Sequence, residues 1–311
     1  MSNIYTCTFN LAIDLFIETH SLKPFVVNRT QDDDIQANGK GVNVSLILKM
    51  LGIDNTALGF KAGFTGRYIE DFLKDKKIKT KFIEVPGMTR INVFTQVNET
   101  QEEFKLVNKG PNIPEESIVG LLKEIECLKA GDYLCVSGSL PRGVSPSILV
   151  EIAKRCHTQN VHLILDSSYN EVLDCLQYQP FLLKPNEEEL AAWYDVTIDS
   201  KEDYLFYAEK LIASGAQNVL LSLGGEGAYF INEQKVLYGN SPKGKVVNTA
   251  CAGDTLLGTF LSGMLKKEDT ATVLRKSLAA GSSTAFRKGI TAFSDVATLE
   301  EQIIITEEGK K

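Results

Sequence analysis

Short β-branched or aromatic runs alternate with longer segments of helical periodicity along most of this chain, and no other feature restricts its fold as strongly. Strands are expected at 3–9, 55–60, 132–136, 161–165, 180–183 and 218–222. Helices are expected at 42–51, 66–76, 115–129, 146–157, 187–194, 202–214, 254–266 and 270–286. Strand, helix, strand in repetition folds through right-handed crossovers into an α/β protein whose mostly parallel sheet is covered on both faces. Ligands of such a sheet gather beyond the carboxyl ends of its strands.

Two segments break the rhythm. Residues 24–37 (PFVVNRTQDDDIQA) and 89–108 read as extended chain, the second as a hairpin turning near Asn98 to Gln101. Neither carries a crossover helix, so together they are expected to form a small separate sheet that projects as a lid. Its exposed edges would be protected by pairing with a second subunit. Residues 1–311 are thus read as a single domain with an inserted lid.

A formal net charge of -7 argues against a general nucleic-acid binder, because phosphate backbones demand clustered cations. Any anionic ligand must therefore be held locally. No apolar run reaches the roughly 18 residues that cross a bilayer. The start, MSNIYTCTFNLAIDLF, does not read as a signal peptide. Cysteines 7, 127, 135, 156, 175 and 251 show no C-x-x-C spacing, which suits reduced thiols in a cytoplasmic protein. Three histidines without ligand spacing give no metal cluster.

The chemistry concentrates in short motifs. In NTACAGDTLLGTF (248–260), Gly253 and Asp254 stand at the first turn of an apolar-periodic helix. Asp254 reads either as a cap that meets the helix dipole or as a base beside an anion hole formed by the backbone N–H groups of small residues. NGKGVN (38–43) sets a lysine between two glycines ahead of a helix and is either a plain turn or an anion-facing loop. It is neither a Walker loop nor a dinucleotide fingerprint. Arg90 opens the lid hairpin in TRINV and Arg29 lies in the other lid segment; each is a phosphate fork or a solubilising charge. Asp14 is a sugar-binding carboxylate or a turn cap. SGSLPRG (137–143) makes a rigid hydroxyl-bearing loop at the sheet's carboxyl edge. In LLKPNEEEL (182–190), Asn186 and Glu189 are three apart and either compensate the dipole or organise Mg²⁺ through water. LSLGGEGAYF (221–230) is a glycine turn between strands or a close approach to a nucleotide.

Taken in order with DSS at 166–168, these motifs span essentially the whole chain and resemble the PfkB, or ribokinase-like, carbohydrate kinases. GKGVN, TRINV and DSS together look most like the 1-phosphofructokinase branch, with tagatose-6-phosphate kinases as near neighbours. The resemblance implies a three-layer α/β/α sandwich with a mostly parallel central sheet and a small β lid. It implies ATP and Mg²⁺, with transfer of the γ-phosphoryl to a sugar hydroxyl. Asp254 would be the general base, and the backbone from Ala250 through Cys251 and Ala252 to Gly253 the anion hole. Arg29, Lys40 and Arg90 match positions that face the sugar and its existing phosphate; Asp14, Gly39, Asn43 and Ser139 match those that hold hydroxyls. Lys184, Asn186, Ser222, Gly224 and Gly227 match the nucleotide side, and Glu189 the water-bound metal region. A homodimer paired through the lid is implied as well.

Four positions depart from the family pattern. Cys251 replaces the first glycine of the anion hole, which costs about 1 kcal/mol or more if the position needs positive φ. Asn38 replaces a glycine before Gly39, Phe94 stands where a lysine often follows TRINV, and Leu11 replaces a proline. The expected activity is phosphorylation of fructose 1-phosphate at its 6-hydroxyl. A tagatose-6-phosphate or other hexose-phosphate kinase, and a sugar-phosphate sensor with little turnover, are the alternatives.

Overall fold

A computed structural model describes residues 2–309. The chain opens with β1 (Ile4–Thr8), β2 (Ala12–Thr19), β3 (Thr30–Asn38), α1 (Lys40–Met50), β4 (Asn55–Lys61), α2 (Gly63–Asp75) and β5 (Lys79–Glu84). It continues through β6 (Arg90–Val97), β7 (Glu102–Leu106), α3 (Glu115–Glu126), β8 (Tyr133–Ser137), α4 (Ile148–Gln159), β9 (His162–Asp166) and β10 (Leu182–Leu183). The last part holds α5 (Glu187–Tyr194), α6 (Lys201–Ala213), β11 (Asn218–Ser222), β12 (Ala228–Asn232), β13 (Val236–Gly239), α7 (Ala252–Leu265), α8 (Thr270–Ala285), α9 (Val296–Glu300) and β14 (Ile305–Glu308).

The main sheet has ten strands in the order β14-β13-β12-β11-β10-β9-β8-β1-β4-β5. It is parallel from β11 to β5 and antiparallel from β11 to β14. Alternation of side chains along each strand divides the core into two layers. On β9, Leu163 and Leu165 pack towards the helices α3, α4, α5 and α6, whereas Ile164 packs towards α1, α7 and α8. Strands apolar on both faces are what a sheet covered on both sides requires. The layered α/β arrangement read from the sequence is therefore the one observed.

Helix starts differ from the expected positions by up to three residues, because glycine-bearing turns carry the helical path forward of the apolar stripe. Thus α1 begins at Lys40, α2 at Gly63 and α7 at Ala252. The strands β2, β5, β13 and β14 were not expected. The four-stranded second sheet, ordered β3-β2-β6-β7, stands apart from the main one. Its inner strands are β2 and β6, parallel to each other, with β3 antiparallel to β2 and β7 antiparallel to β6. Asp14 accordingly lies within a strand and caps no turn. The segment 24–29 is loop ahead of β3, and Phe25 at its tip is fully exposed.

Candidate active site

The carboxyl ends of β1, β8, β9 and β10 converge on the N-termini of α1 and α7. Cys251 is the N-cap residue of α7 and has φ 64°, the left-handed region, so this position does demand the backbone that glycine takes most cheaply. The N–H groups of the following turn have no intrahelical acceptors and are open to an anion. Asp254, in that turn, is 6% exposed. Its Oδ2 accepts a hydrogen bond from Asn43 Nδ2 at 2.7 Å. Burial, with the nearby charge of Asp166, pushes its pKa up to about 6, against the pull of Lys40, Asn43 and Lys184. A carboxylate so tuned can hold or release a proton near neutral pH.

Burial, together with the charges of Asp254 and Asp14, pushes the Cys251 thiol well above its ordinary range. The helix N-terminus does not activate it. Its sulfur lies 3.2 Å from Asn43 Nδ2.

Gly39 has φ 142°, and a Cβ there would stand 2.7 Å from Thr8 Cγ2. A Cβ on Gly41 would meet Thr8 Oγ1 at 2.5 Å. The two glycines therefore let α1 start directly against β1 and aim Lys40 across the sheet ends. Lys40 Nζ lies 3.3 Å from Asp166 Oδ1 and 4.0 Å from Glu189 Oε1. Burial opposes its charge, but the carboxylates of Asp166, Asp254 and Glu189 outweigh it and raise the Lys40 pKa.

A run of side-chain amides links Asp254 to the lid. Asn43 Nδ2 also reaches Asn38 Oδ1 at 2.8 Å, and Asn38 Nδ2 donates to Asp14 Oδ2. Asp14 Oδ1 accepts from Asn92 Nδ2 at 2.8 Å. Burial raises the Asp14 pKa despite these two donors.

Two clefts meet at Lys40. The smaller, about 240 Å³, is lined by Thr8, Asn10, Lys40, Arg90, Gly138 and Ser139. Arg90 is held there by the carbonyls of Asn108 and Asn10, at 3.0 and 3.2 Å, while its buried Nε has no hydrogen-bond partner among the described residues. Burial lowers its pKa from the ordinary guanidinium value, against the pull of Asp14. Arg29, exposed just ahead of β3, lines neither cleft.

The larger cleft, about 900 Å³, runs from Asp254 past Lys184, Asn186, Ser222, Gly224 and Gly227. Lys184 Nζ lies 3.1 Å from Asp166 Oδ1, and a Cβ on Gly253 would stand 3.7 Å from it. Asn186 and Ser222 pair as an isolated parallel bridge. Gly227 has φ 118°, and a Cβ there would fall 1.9 Å from the carbonyl oxygen of Gly239. The far wall is apolar, with Leu278, Ala285 and Phe286 of the α8 end and Val246 opposite. That composition suits a flat base at the end of a polyphosphate.

Asn186 and Glu189 form a reciprocal capping box at the start of α5: Asn186 Oδ1 accepts from Glu189 N at 2.7 Å, and Glu189 Oε2 accepts from Asn186 N at 3.0 Å. This satisfies the helix start and leaves Oε1 turned towards Lys40. Among the described residues no group of three or more His, Cys, Asp or Glu side chains could hold a metal ion. The one Glu189 carboxylate oxygen outside the capping box, 4.0 Å from Lys40 Nζ, fits Mg²⁺ that is bound chiefly by substrate phosphates and water.

Sequence reasoning overlooked Asn38 and Asn92 in the amide run, Asp166 between the lysines and the apolar wall from α8. All three polar residues lay inside quoted motifs, Asn38 in NGKGVN, Asn92 in TRINV and Asp166 in DSS after a buried strand, but no motif shows which groups meet.

A model of the pfkB family carbohydrate kinases matches residues 5–297. A D-tagatose-1-phosphate kinase of Bacillus licheniformis is 48% identical over 304 residues, covering 97% of this chain and 99% of that protein. A 1-phosphofructokinase of Bacillus subtilis is 35% identical over 303 residues, covering 97% and 99%. Phosphofructokinase-2 from Escherichia coli, solved in complex with fructose-6-phosphate, superposes with a TM-score of 0.88 at 27% identity, over 97% of this chain and 99% of that one.

Proposed function

The chain belongs to the pfkB family of carbohydrate kinases, and we propose that it transfers the γ-phosphoryl of ATP to the 6-hydroxyl of a ketohexose 1-phosphate, with fructose 1-phosphate as substrate. The observation that carries this reading is the placing of Asp254: a buried carboxylate, its pKa pushed up to about 6, lines the larger cleft, which meets the smaller one at Lys40.

In the mechanism, Arg90 and Lys40 grip the sugar phosphate, and Asp14, Gly39, Asn43 and Ser139 orient its hydroxyls. ATP lies in the larger cleft with its phosphates towards Lys184. Asp254 takes the proton of the 6-hydroxyl as that oxygen attacks the γ-phosphorus; the bond to the β-phosphate oxygen breaks and ADP leaves. The N–H groups of the α7 start, from Cys251 to Gly253, stabilise charge on the moving phosphoryl, as phosphoryl transfer demands. Mg²⁺, held by the phosphates and through water by Glu189, would neutralise phosphate charge.

The lid excludes water when sugar is bound. The apolar tip at Phe25, Val26 and Val27, each at least 60% exposed, supports a homodimer paired through the lids, and Arg29 beside it would then serve across that interface. One kinase domain with an inserted lid, working in the cytoplasm, completes the reading; no described helix is long and apolar enough to cross a membrane.

A second substrate, tagatose 1-phosphate, is favoured by the 48% identity to a D-tagatose-1-phosphate kinase. The two sugars differ only in configuration at C4, and both present the same 6-hydroxyl. Steady-state assays with ATP and fructose 1-phosphate, tagatose 1-phosphate, fructose 6-phosphate and tagatose 6-phosphate separate the cases. The highest kcat/KM is expected with a 1-phosphate, giving a 1,6-bisphosphate. Preference for a 6-phosphate would overturn the acceptor assignment, and binding without turnover would overturn the kinase.

A further inference from the structure

Asp166 ends β9 and is wholly buried. Its Oδ1 is shared by two cations from distant parts of the chain, Lys184 Nζ at 3.1 Å and Lys40 Nζ at 3.3 Å. Its Oδ2 is buried with no hydrogen-bond partner among the described residues. One carboxylate oxygen thus gathers two ammonium groups where the two clefts meet. Lysine is a point charge on a flexible stem, so its ammonium stays where an anchor puts it. Lys40 lines both clefts, and Lys184 lines the larger one beside Gly253.

We propose that Asp166 is a positioning residue for phosphoryl transfer: its single carboxylate oxygen fixes the lysine that faces the sugar phosphate and the lysine that faces the nucleotide phosphates in one arrangement. The proposal rests on the kinase reading above. Asp166 touches neither substrate and acts only through the two lysines. Without it the ammonium groups repel one another, and both phosphate grips lose their alignment with Asp254. A 1 Å misplacement of this kind costs about 10²-fold in rate.

The test is Asp166→Asn, which keeps the shape and removes the charge. Here kcat/KM for ATP and for the sugar phosphate are both expected to fall about 10²-fold. A second readout separates positioning from mere structural support. The charged groups facing Asp254 are Lys40 from α1, Lys184 after β10 and Asp166 from β9, with the Cys251 thiol on its own segment. Removing the one carboxylate among them makes Asp254 easier to ionise, so the acid limb of kcat/KM moves to lower pH. In a Lys184→Met background, Asp166→Asn is expected to cost clearly less than in the parental enzyme.

Should the single variant not fold, the pair Asp166→Leu, Lys184→Met removes both charges at once, a replacement that buried ion pairs commonly tolerate. Its KM for sugar phosphate is expected to exceed that of Lys184→Met alone, because Lys40 has lost its anchor. An unmoved acid limb, fully multiplicative costs, or a paired variant indistinguishable from Lys184→Met would overturn the proposal. Parental turnover with an indifferent Asp166→Asn sinks the positioning role alone. Absence of parental turnover sinks the kinase reading and the positioning role with it.

Discussion

Asn43 donates its side-chain N–H to Asp254 across 2.7 Å, joining the first helix of the chain to the start of α7, 211 positions later. A donor to the charged form of a carboxylate holds its pKa down. Asn43→Ala therefore leaves burial and Asp166 less opposed, and the Asp254 pKa rises above about 6. The acid limb of kcat/KM should move to higher pH. A hydrogen bond to a charged group contributes about 1.5–3 kcal/mol, so the loss near pH 6.5 should be about tenfold or more, and smaller at pH 8.5. A pH–rate profile checks this; a limb that stays put means Asn43 does not tune the base.

Asp254→Asn should abolish turnover, by about 10²–10⁴-fold for the loss of a general base, while sugar-phosphate binding by calorimetry persists. The same substitution should stabilise the protein. Because the folded pKa is raised from 3.8 to about 6, the folded state binds the proton more tightly than the unfolded chain. Stability is therefore lost as pH rises between these values and stays lost above them. The difference of roughly two units corresponds to at most about 3 kcal/mol at pH 8, and vanishes below about pH 4. Thermal melts of both proteins at pH 4 and pH 8 test the sign; a variant less stable at pH 8 refutes it.

Cys251 occupies a left-handed backbone position with φ 64°. Cys251→Gly should relieve about 1 kcal/mol of strain and raise Tm while keeping activity, whereas Cys251→Ala keeps the strain. The raised thiol pKa also makes Cys251 a poor nucleophile. Iodoacetamide at pH 7.5 should label the exposed Cys127 first, as peptide mapping will show. Rapid labelling of Cys251 would contradict the half-buried, unactivated thiol.

Phe25 and Val27 project from the lid fully or largely exposed. Phe25→Asp with Val27→Asp should convert a dimer to a monomer in sedimentation velocity and raise KM for the sugar phosphate, with the melting temperature of the kinase core little changed. A parental protein that sediments as a monomer at micromolar concentration would remove the lid-to-lid interface.

Gly227→Ala should damage the nucleotide side selectively. A Cβ there would lie 1.9 Å from a backbone oxygen, so the turn must open. KM for ATP should rise at least as steeply as stability falls, whereas Gly225→Ala, with nothing within 4 Å of its Cβ, should be mild. Equal effects of the two on KM for ATP would show that the turn does not shape the cleft.

The layered architecture was legible because periodicity is local: β9 reads as a strand from its own apolar run, and α8 as a helix from its own stripe. β2 was not, because AIDLFIET has no sheet of its own in sequence; its partners β3 and β6 come from two separate segments. Asp254 stood out through Gly253 and the apolar helix behind it. Asp166 did not, since a strand-end aspartate has no local sign of the lysines it holds, one of them 126 positions away.

What the sequence determined alone was the order of elements, the glycines at each tight approach and the identity of the charged groups, all consequences of short-range sterics and hydrophobic patterning. Only the tertiary structure decided which charges meet. The Asp254 pKa is pushed up to about 6 because folding buries it and brings Asp166 near, against the pull of Asn43. The Cys251 thiol is pushed up although it caps a helix, because burial and the carboxylates of Asp254 and Asp14 oppose its ionisation. A pKa is set by burial and by neighbours within a few ångströms, and those neighbours are brought together from across the whole chain.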